Sequence, residues 1–366
     1  MMTSLYIHIP CCARKCLYCA FPVVTGRFFR EADYLDAVEL EAQPYRQQAV
    51  SSLYVGGGTP SLLSTDGIRR LAALVRENFI GGDAERVFEM NPESVTPEKA
   101  ALLRSLGFNR VSFGAQSFDR RYLSWLGRTH GVAENFYAFK VLRSAGFDNI
   151  SVDLMFGFPG QTTAQLDQDM DALVSLGSEH VAVYALTVEE RSVFHVRGEK
   201  VSLDSQAELY QQVCARLKAA GLFQYEVSNF ARSGFESRHN SHYWQGGNYV
   251  GLGMGAHAHH DGQRSWNADT LPQYLKMIRT GGRAVIGQEH LTPVARLMET
   301  LVLGLRMNAG INIALLEERF GVLLPVDRRE ELDVLVADGW LIRDGACMQV
   351  ADRGRLVLDE ISARLI

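Results

Sequence analysis

The chain has 366 residues, 47% of them hydrophobic, a formal net charge of −5 and a pI near 6.1. That suits one large domain with a small companion, and the absence of a basic run excludes a nucleic-acid footprint. No apolar run reaches the ~18 residues that span a bilayer, and the start lacks the charged, apolar and cleavage segments of a leader, so the sequence reads as soluble and cytoplasmic.

The elements follow in chain order. Leu5 to Ile9 reads as a strand stopped by Pro10. Cys12-Ala-Arg-Lys-Cys16-Leu-Tyr-Cys19 comes directly after it. A helix is predicted from about Glu31 to Gln48, with Leu35, Val38 and Ala42 on one face. Ser52 to Val55 is a strand broken by Gly56-Gly57-Gly58-Thr59-Pro60, and a helix starts near Ser64. Arg86 to Met90 is strand-like. Thr96-Pro97 supplies an N-cap with proline at the first helical position, and Gly107 closes that helix. Arg110 to Phe113 is a strand ending at Gly114-Ala115-Gln116. Helices follow near Asp119 and from Val132 to Ala145. Ile150 to Met155 is a strand ending at Gly157-Phe158-Pro159. Thr162-x-x-Gln165 is a capping box that opens the next helix, and His180 to Tyr184 is the sixth strand.

Strict strand–helix alternation implies a parallel sheet with helical crossovers. Six units are too few for a closed eight-stranded barrel. The predicted fold class is therefore α/β: a partial (β/α)6 TIM-like barrel with a sheet extension and a small C-terminal winged-helix-like helical domain. The barrel and its extension (about 203–285) occupy 1–285, and the small domain 286–366. Within the extension, Tyr225 to Val227 is strand-like. Residues 238–257 read as a loop-rich segment dense in His and aromatics. The tail reads as helix, short helix, helix, a hairpin turning at Asp344-Gly345, and a last helix. It carries no basic cluster. Ligands of such sheets bind at the carboxyl ends of the strands. The cysteine loop, Gly56–Pro60, Glu89-Met-Asn-Pro, Gly114-Ala-Gln116, Asp153 and Ala185 all fall there.

Four of the six cysteines crowd into the first twenty residues. A secreted disulfide framework spreads its cysteines through a short chain, so a metal site is expected instead. Zinc needs four ligands, and no second Cys/His pair has suitable spacing. Cys16-x-x-Cys19 as a redox pair leaves Cys12 idle. Three thiolates on a cubane iron–sulfur cluster leave one iron open for a small ligand. Cys11 is read as a neighbour rather than a ligand, and Cys214 and Cys347 as buried small hydrophobes.

The cysteine loop resembles the radical S-adenosylmethionine (SAM) superfamily, which holds a 4Fe-4S cluster through Cys-x3-Cys-x2-Cys after the first strand of a partial barrel. The resemblance makes Cys12, Cys16 and Cys19 the cluster ligands and likens Tyr18 to the aromatic before the third thiol. Within that superfamily the chain resembles oxygen-independent coproporphyrinogen III oxidases and the related HemW haem chaperones. Tyr6-Ile-His-Ile-Pro10, Gly56–Pro60, Glu89-Met-Asn-Pro-Glu93, Gly114-Ala-Gln116, Arg128, Asp153-Leu-Met-Phe-Gly157 and Tyr184-Ala185-Leu-Thr187 carry the likeness in order. It implies SAM contacts at Tyr6, Gly57, Gly58, Thr59, Glu89, Gln116, Arg128, Asp153 and Ala185. The oxidases carry a fourth Cys two residues after the third, where this chain has Phe21, and an N-terminal extension that covers the site, whereas here the cluster loop begins at residue 12. His239-Asn240-Ser-His242-Tyr243-Trp244 is similar to the HemW His-Asn-x-x-Tyr-Trp motif, which implies haem at His239; His257, His259 and His260 rank below it. The implied partners are SAM, haem or a porphyrinogen, an electron donor and a haem acceptor. The implied function is haem transfer, with porphyrinogen oxidation or another radical SAM reaction as alternatives.

Overall fold

The computed structural model describes residues 3–366. Six parallel strands form the barrel wall: β1 (Thr3–Ile9), β2 (Gln48–Gly57), β3 (Glu85–Met90), β4 (Arg110–Gln116), β5 (Ile150–Phe156) and β6 (His180–Ala185). The crossovers include α1 (Glu31–Ala42), α2 (Thr65–Asn78), α3 (Pro97–Ser105), α4 (Arg120–Leu126), α5 (Val132–Ser144) and α6 (Thr163–Leu176). The expected caps are present. Ser64, Thr96 and Thr162 each accept a backbone N–H three residues on, and Gln165 Oε1 accepts from Thr162 N at 2.9 Å to complete the capping box. The first helix ends at Ala42 and passes into a short 3-10 turn, Gln43–Tyr45, sooner than its apolar spacing suggests. Pro44 lies at the second position of that turn, where it removes an N–H from any continuing α-helix.

The strands alternate strictly. Leu5, Ile7, Leu53, Val55, Phe88, Val111, Phe113, Val152, Leu154, Val181 and Val183 join the core against the helices. The residues between them face the lumen, and most are polar. A wall of this kind buries its apolar surface on one side and keeps the other for chemistry.

The extension splits to both edges of the wall. After α7 (Val193–Val196) and α8 (Leu203–Ala219), the short strands β7 (Phe223–Gln224) and β8 (Asn229–Ala231) form an antiparallel addition at β6. The expected strand at Tyr225–Val227 is instead the turn between them. The chain then crosses to the other edge through α9 (Arg238–Trp244), in the segment expected to be loop-rich. There β9 (Asn248–Leu252) pairs parallel with β1, followed antiparallel by β10 (His257–His260), β11 (Gln263–Asn267) and, after α10 (Leu271–Gly281), β12 (Val285–His290). The division expected between 285 and 286 falls at the start of β12.

The C-terminal part has its own core, in which Leu297, Leu301, Leu316, Leu335, Leu341, Met348 and Leu365 are buried together. It comprises α11 (Pro293–Gly304), α12 (Ile313–Phe320), α13 (Val326–Ala337), α14 (Leu358–Leu365) and a three-stranded sheet that includes the hairpin Leu341–Asp344/Cys347–Val350. No helix among the described residues is long and apolar enough to cross a membrane. Cys214 and Cys347, expected to be buried, are half-buried; Cys347 Sγ donates to Ala309 O at 3.4 Å.

One buried carboxylate ties α1 to the extension. Glu41 accepts from Gly253 N (2.7 Å), Tyr274 Oη (2.7 Å) and Asn267 Nδ2 (2.5 Å). Burial outweighs these donors and pushes the carboxyl up to about 7. A carboxyl raised in the folded state costs stability as pH climbs from its unfolded value to its folded one. At about 1.4 kcal/mol per pKa unit, the cost across that window is on the order of 3 kcal/mol. Urea midpoints of wild type and Glu41→Gln, measured across this range, should therefore move in the variant's favour as pH rises. Parallel pH curves for the two proteins would exclude a titrating Glu41.

Candidate metal centre and cofactor site

The lumen has two polar layers. At the amino ends of the strands, Ser4 and Ser52 are 2.8 Å apart (Oγ–Oγ), Ser151 meets His180 Nδ1 at 2.8 Å, and His180 Nε2 meets Tyr225 Oη at 2.9 Å. Glu85 and Arg110 form a buried pair at 3.5 Å. Helix α9 closes this end. Glu85 accepts from the N–H groups of Arg238 (3.2 Å) and His239 (3.0 Å), and Arg110 donates to Phe235 O at 2.8 Å. A carboxylate at a helix start satisfies orphan donors there.

His239 belongs to this closed layer. It is 1% exposed. Its Nδ1 meets Ser52 Oγ at 2.8 Å and its Nε2 meets Tyr243 Oη at 2.9 Å, so both ring nitrogens are taken. Burial lowers its pKa to about 3, which keeps the ring neutral. In this arrangement His239 is a packing and hydrogen-bonding residue with no nitrogen left for iron.

The second layer lies at the carboxyl ends. Glu89 accepts from Tyr54 Oη at 2.6 Å and from Gly57 N at 3.0 Å. Asp153 accepts from Ser112 Oγ at 3.0 Å. Burial raises both carboxyls, Asp153 to about 7 with the Glu89 charge adding to the rise. Tyr6 stands beside them, its Oη 3.1 Å from His8 Nδ1, and its phenol is raised by burial and by Glu89. Ala185 is exposed at the end of β6.

Arg128 binds this layer to the cysteine loop. Its Nη2 donates to Asn91 Oδ1 (2.8 Å) and Gly114 O (3.0 Å), and its Nη1 to Cys16 Sγ (3.5 Å). Burial alone lowers the pKa of this guanidinium, yet Tyr18, Cys16 and Glu93 raise it above the ordinary value, so Arg128 is a fixed cation. Its Nε is buried without a partner. Burial also opposes ionisation of Glu93, but His130 and Arg128 hold that carboxyl down at about 2. Asn91 Nδ2 also donates to Thr59 Oγ1 at 2.9 Å, and Thr59 Oγ1 is 3.5 Å from Cys12 Sγ. Asn91 and Tyr54 thus organise the site without having been singled out. Asn91 was legible only as a letter inside Glu89-Met-Asn-Pro. Gln116 sits at a register shift in β4 with φ +66, a conformation few side chains adopt without support.

The three thiols emerge on the same rim. Cys12 ends a two-residue strand paired with Val24–Thr25. Cys16 and Cys19 follow in a turn, with Cys19 N donating to Cys16 O at 3.2 Å. Tyr18 lies between them and packs toward the cluster of Leu126, Met155, Phe158, Leu186 and Phe194. Among the described residues, no three His, Cys, Asp or Glu side chains are gathered to hold a single metal ion. A cubane places each thiolate on a different iron and so suits a wider set. Burial raises the Cys12 thiol to about 11 and also raises Cys19, so metal binding here releases protons. Cys11 does not share this rim. It is 5% exposed, lies in the main core and meets Thr59 O at 3.4 Å.

Comparison with known proteins agrees with this geometry. Residues 6–173 match the Radical SAM superfamily, and residues 291–357 match the HemN C-terminal domain. The chain is 34% identical over 375 residues to heme chaperone HemW of Bacillus subtilis, covering 98% of each protein. It is 36% identical to heme chaperone HemW of Mycobacterium tuberculosis, covering 99% of this chain and 94% of that one. The chain belongs to the HemW family of radical SAM proteins. The chain is also 32% identical to radical S-adenosyl methionine domain-containing protein 1, mitochondrial, of mouse, over 99% of this chain and 87% of that one. Among solved structures, the radical SAM enzyme coproporphyrinogen III oxidase (HemN) of Escherichia coli superposes with a TM-score of 0.88 at 26% identity, covering 100% of this chain and 90% of the other. That likeness bears out the partial barrel with its C-terminal helical domain. A 4Fe-4S cluster and SAM are the family's cofactors, and the thiol rim with its unpartnered Arg128 Nε fits them.

Proposed function

We propose that this chain is a haem chaperone that carries a 4Fe-4S cluster and SAM and passes bound haem to an acceptor. The observation that carries this reading is the full-length similarity to proteins named heme chaperone HemW. In it, Cys12, Cys16 and Cys19 hold the cluster, leaving one iron open for SAM. Tyr6, Tyr18, Gly57, Gly58, Thr59, Glu89, Gln116, Arg128, Asp153 and Ala185 surround the cofactors. Arg128 is a fixed cation suited to a carboxylate, and Glu89 and Asp153 are acceptors for an ammonium or for ribose hydroxyls. When bound, the cluster and SAM supply one-electron and radical chemistry; the chain supplies position and exclusion of water. An electron donor and a haem acceptor are implied partners.

The likeness to coproporphyrinogen III oxidase favours a second reading, oxidative decarboxylation of a porphyrinogen. Phe21, 61% exposed beside the cluster loop, stands where those enzymes carry a further cysteine. Anaerobic incubation of cluster-loaded protein with SAM, reductant and coproporphyrinogen III separates the two. The expected result is no protoporphyrinogen IX, together with saturable haem binding. Clean turnover to protoporphyrinogen IX would overturn the chaperone reading.

A further inference from the structure

A cavity of about 530 Å3 opens between β1 with the extension strands β9 to β11 and the C-terminal helices α11 and α12. Its size is that of a site for a large organic ligand. Aromatics from five parts of the chain wall it: Tyr6 on β1, Phe21 after the cluster loop, Tyr243 and Trp244 on α9, Tyr249 on β9 and Phe320 on α12. A broad, flat apolar ligand is what such walls suit.

Three histidines line this cavity, His8 on β1 and His257 and His259 on β10, whereas His239 does not; both nitrogens of His8 have partners, Tyr6 Oη at 3.1 Å and Pro22 O at 3.4 Å. His257 is exposed and stacks on Trp266, with ring centroids 6.1 Å apart. His259 differs in its hydrogen bonding. It is 9% exposed, its Nδ1 lies 3.3 Å from Gly247 O, and its Nε2 is buried with no partner. A carbonyl facing Nδ1 fixes the proton there and leaves the Nε2 lone pair free, the arrangement found for histidines that ligate metals. An imidazole nitrogen left unpaired in a buried place carries a desolvation cost that a ligand can remove.

Charge in the cavity wall is also suited to haem. Arg264 and Arg296 both line it and both have an unpartnered buried Nε; Glu299 is the acidic residue of the lining. Arg264 is shared between Glu289 (3.0 Å) and Glu299 (2.6 Å); Arg296 lies 3.9 Å from Asp261 and over the Phe320 ring. These two cations match the two carboxylates of a haem edge.

We propose that haem occupies this cavity, with His259 Nε2 as its iron ligand and Arg264 and Arg296 at its propionates. This placement rests on the haem-chaperone reading and replaces His239 as the site. The covered Nε2 requires a lining side chain to move on binding, and the long chains of Arg264, Arg296 and Glu299 are the movable ones. Haem so placed lies beside Phe21, two residues from Cys19, so cluster and haem share one loop.

The test is anaerobic haem titration of wild type, His259→Ala, His239→Ala and Leu303→Trp. The last adds bulk to the cavity from α11 and leaves every histidine in the sequence. The readouts are the Soret band, the stoichiometry and the ferrous Fe–His stretching band in resonance Raman spectra. Circular dichroism and cluster iron content serve as folding controls. Wild type and His239→Ala are expected to bind haem with the same Fe–His band. His259→Ala is expected to lose that band, and Leu303→Trp to lose saturable binding, each with cluster iron unchanged. Arg296→Ala is expected to weaken binding by roughly tenfold, the loss of one charge-assisted contact. An unaltered Fe–His band in His259→Ala, or unaltered affinity in Leu303→Trp, overturns the placement while leaving the chaperone reading in force. Failure of wild type to bind haem at all overturns the chaperone reading itself.

Discussion

Anaerobic reconstitution of Cys16→Ala is expected to yield protein with almost no cluster iron, and Cys11→Ala protein with a full complement. The contrast follows from where the two thiols lie. Cys16 stands on the rim at the carboxyl ends of the strands, 3.5 Å from Arg128 Nη1. Cys11 is packed in the core, its thiol pushed up to about 12 chiefly by burial. Burial raises the Cys12 thiol as well, so what separates Cys11 is its place: a sulfur packed in the core does not reach a cluster built on the rim. A three-thiolate site has no spare to replace a lost member. Cys12→Ala and Cys19→Ala should therefore behave as Cys16→Ala does. Iron per chain and the cluster's visible absorbance, measured on refolded and monodisperse samples, decide the matter. Full cluster in Cys16→Ala, or its loss in Cys11→Ala with the fold intact, would reverse the assignment.

The barrel was legible because each of its units is announced locally. In most of them an apolar strand ends near glycine or proline and a helix follows, several with a side-chain cap. Thr96-Pro97 and Thr162-x-x-Gln165 mark their helices without reference to anything distant. The cysteine spacing is equally local. What was not legible depends on partners far away in the chain. Strand β9 lies parallel to β1, pairing Thr3 with Asn248 and Ile7 with Leu252. Nothing near residue 248 encodes that neighbour. Helix α9 is seven residues long and its aromatics disguise it as loop, yet Ser237 caps it and Glu85, 154 residues from His239, holds its first turn. His239 illustrates the limit most sharply. Its motif implies a haem ligand, but Ser52 and Tyr243 take both of its nitrogens, and only the folded lumen reveals this. His259 sits in an unremarkable string of histidines, and its free Nε2 depends on the carbonyl of Gly247.

The two polar layers of the lumen divide the work of the site. The amino-end layer is closed by α9 and its hydrogen bonds are made within the protein. The carboxyl-end layer keeps raised carboxyls at Glu89 and Asp153 and an unpartnered guanidinium nitrogen on Arg128.

Gly58→Ala is expected to destabilise the apo-protein by about 1–3 kcal/mol, the range for forcing an extra methyl into a packed site, and to lower cluster incorporation sharply. The glycine stretch is read from sequence as room for a cofactor's backbone contacts, but the protein itself already requires it. Gly58 N donates to Ile9 O at 2.8 Å and Thr59 N to Cys11 O at 2.7 Å. A Cβ on Gly58 would lie 2.7 Å from Cys11 O, 2.8 Å from Pro10 C and 2.9 Å from Ile9 O. All three atoms are backbone, so no side-chain rotation relieves the contact; the chain entering Cys12 must shift. Gly57 differs, because it combines φ +111 with a Cβ position 2.4 Å from the His8 ring, so alanine there adds backbone strain to the clash. Gly82→Ala, at an exposed turn with nothing near its Cβ position, is the control. Urea midpoints of the three proteins without cluster or SAM separate the two origins of the requirement. If the glycine serves only the cofactor, apo Gly58→Ala will melt with the control. If it holds the cysteine loop to the end of β2, its midpoint falls before any cofactor is added, and the loss of iron follows from displacement of Cys12.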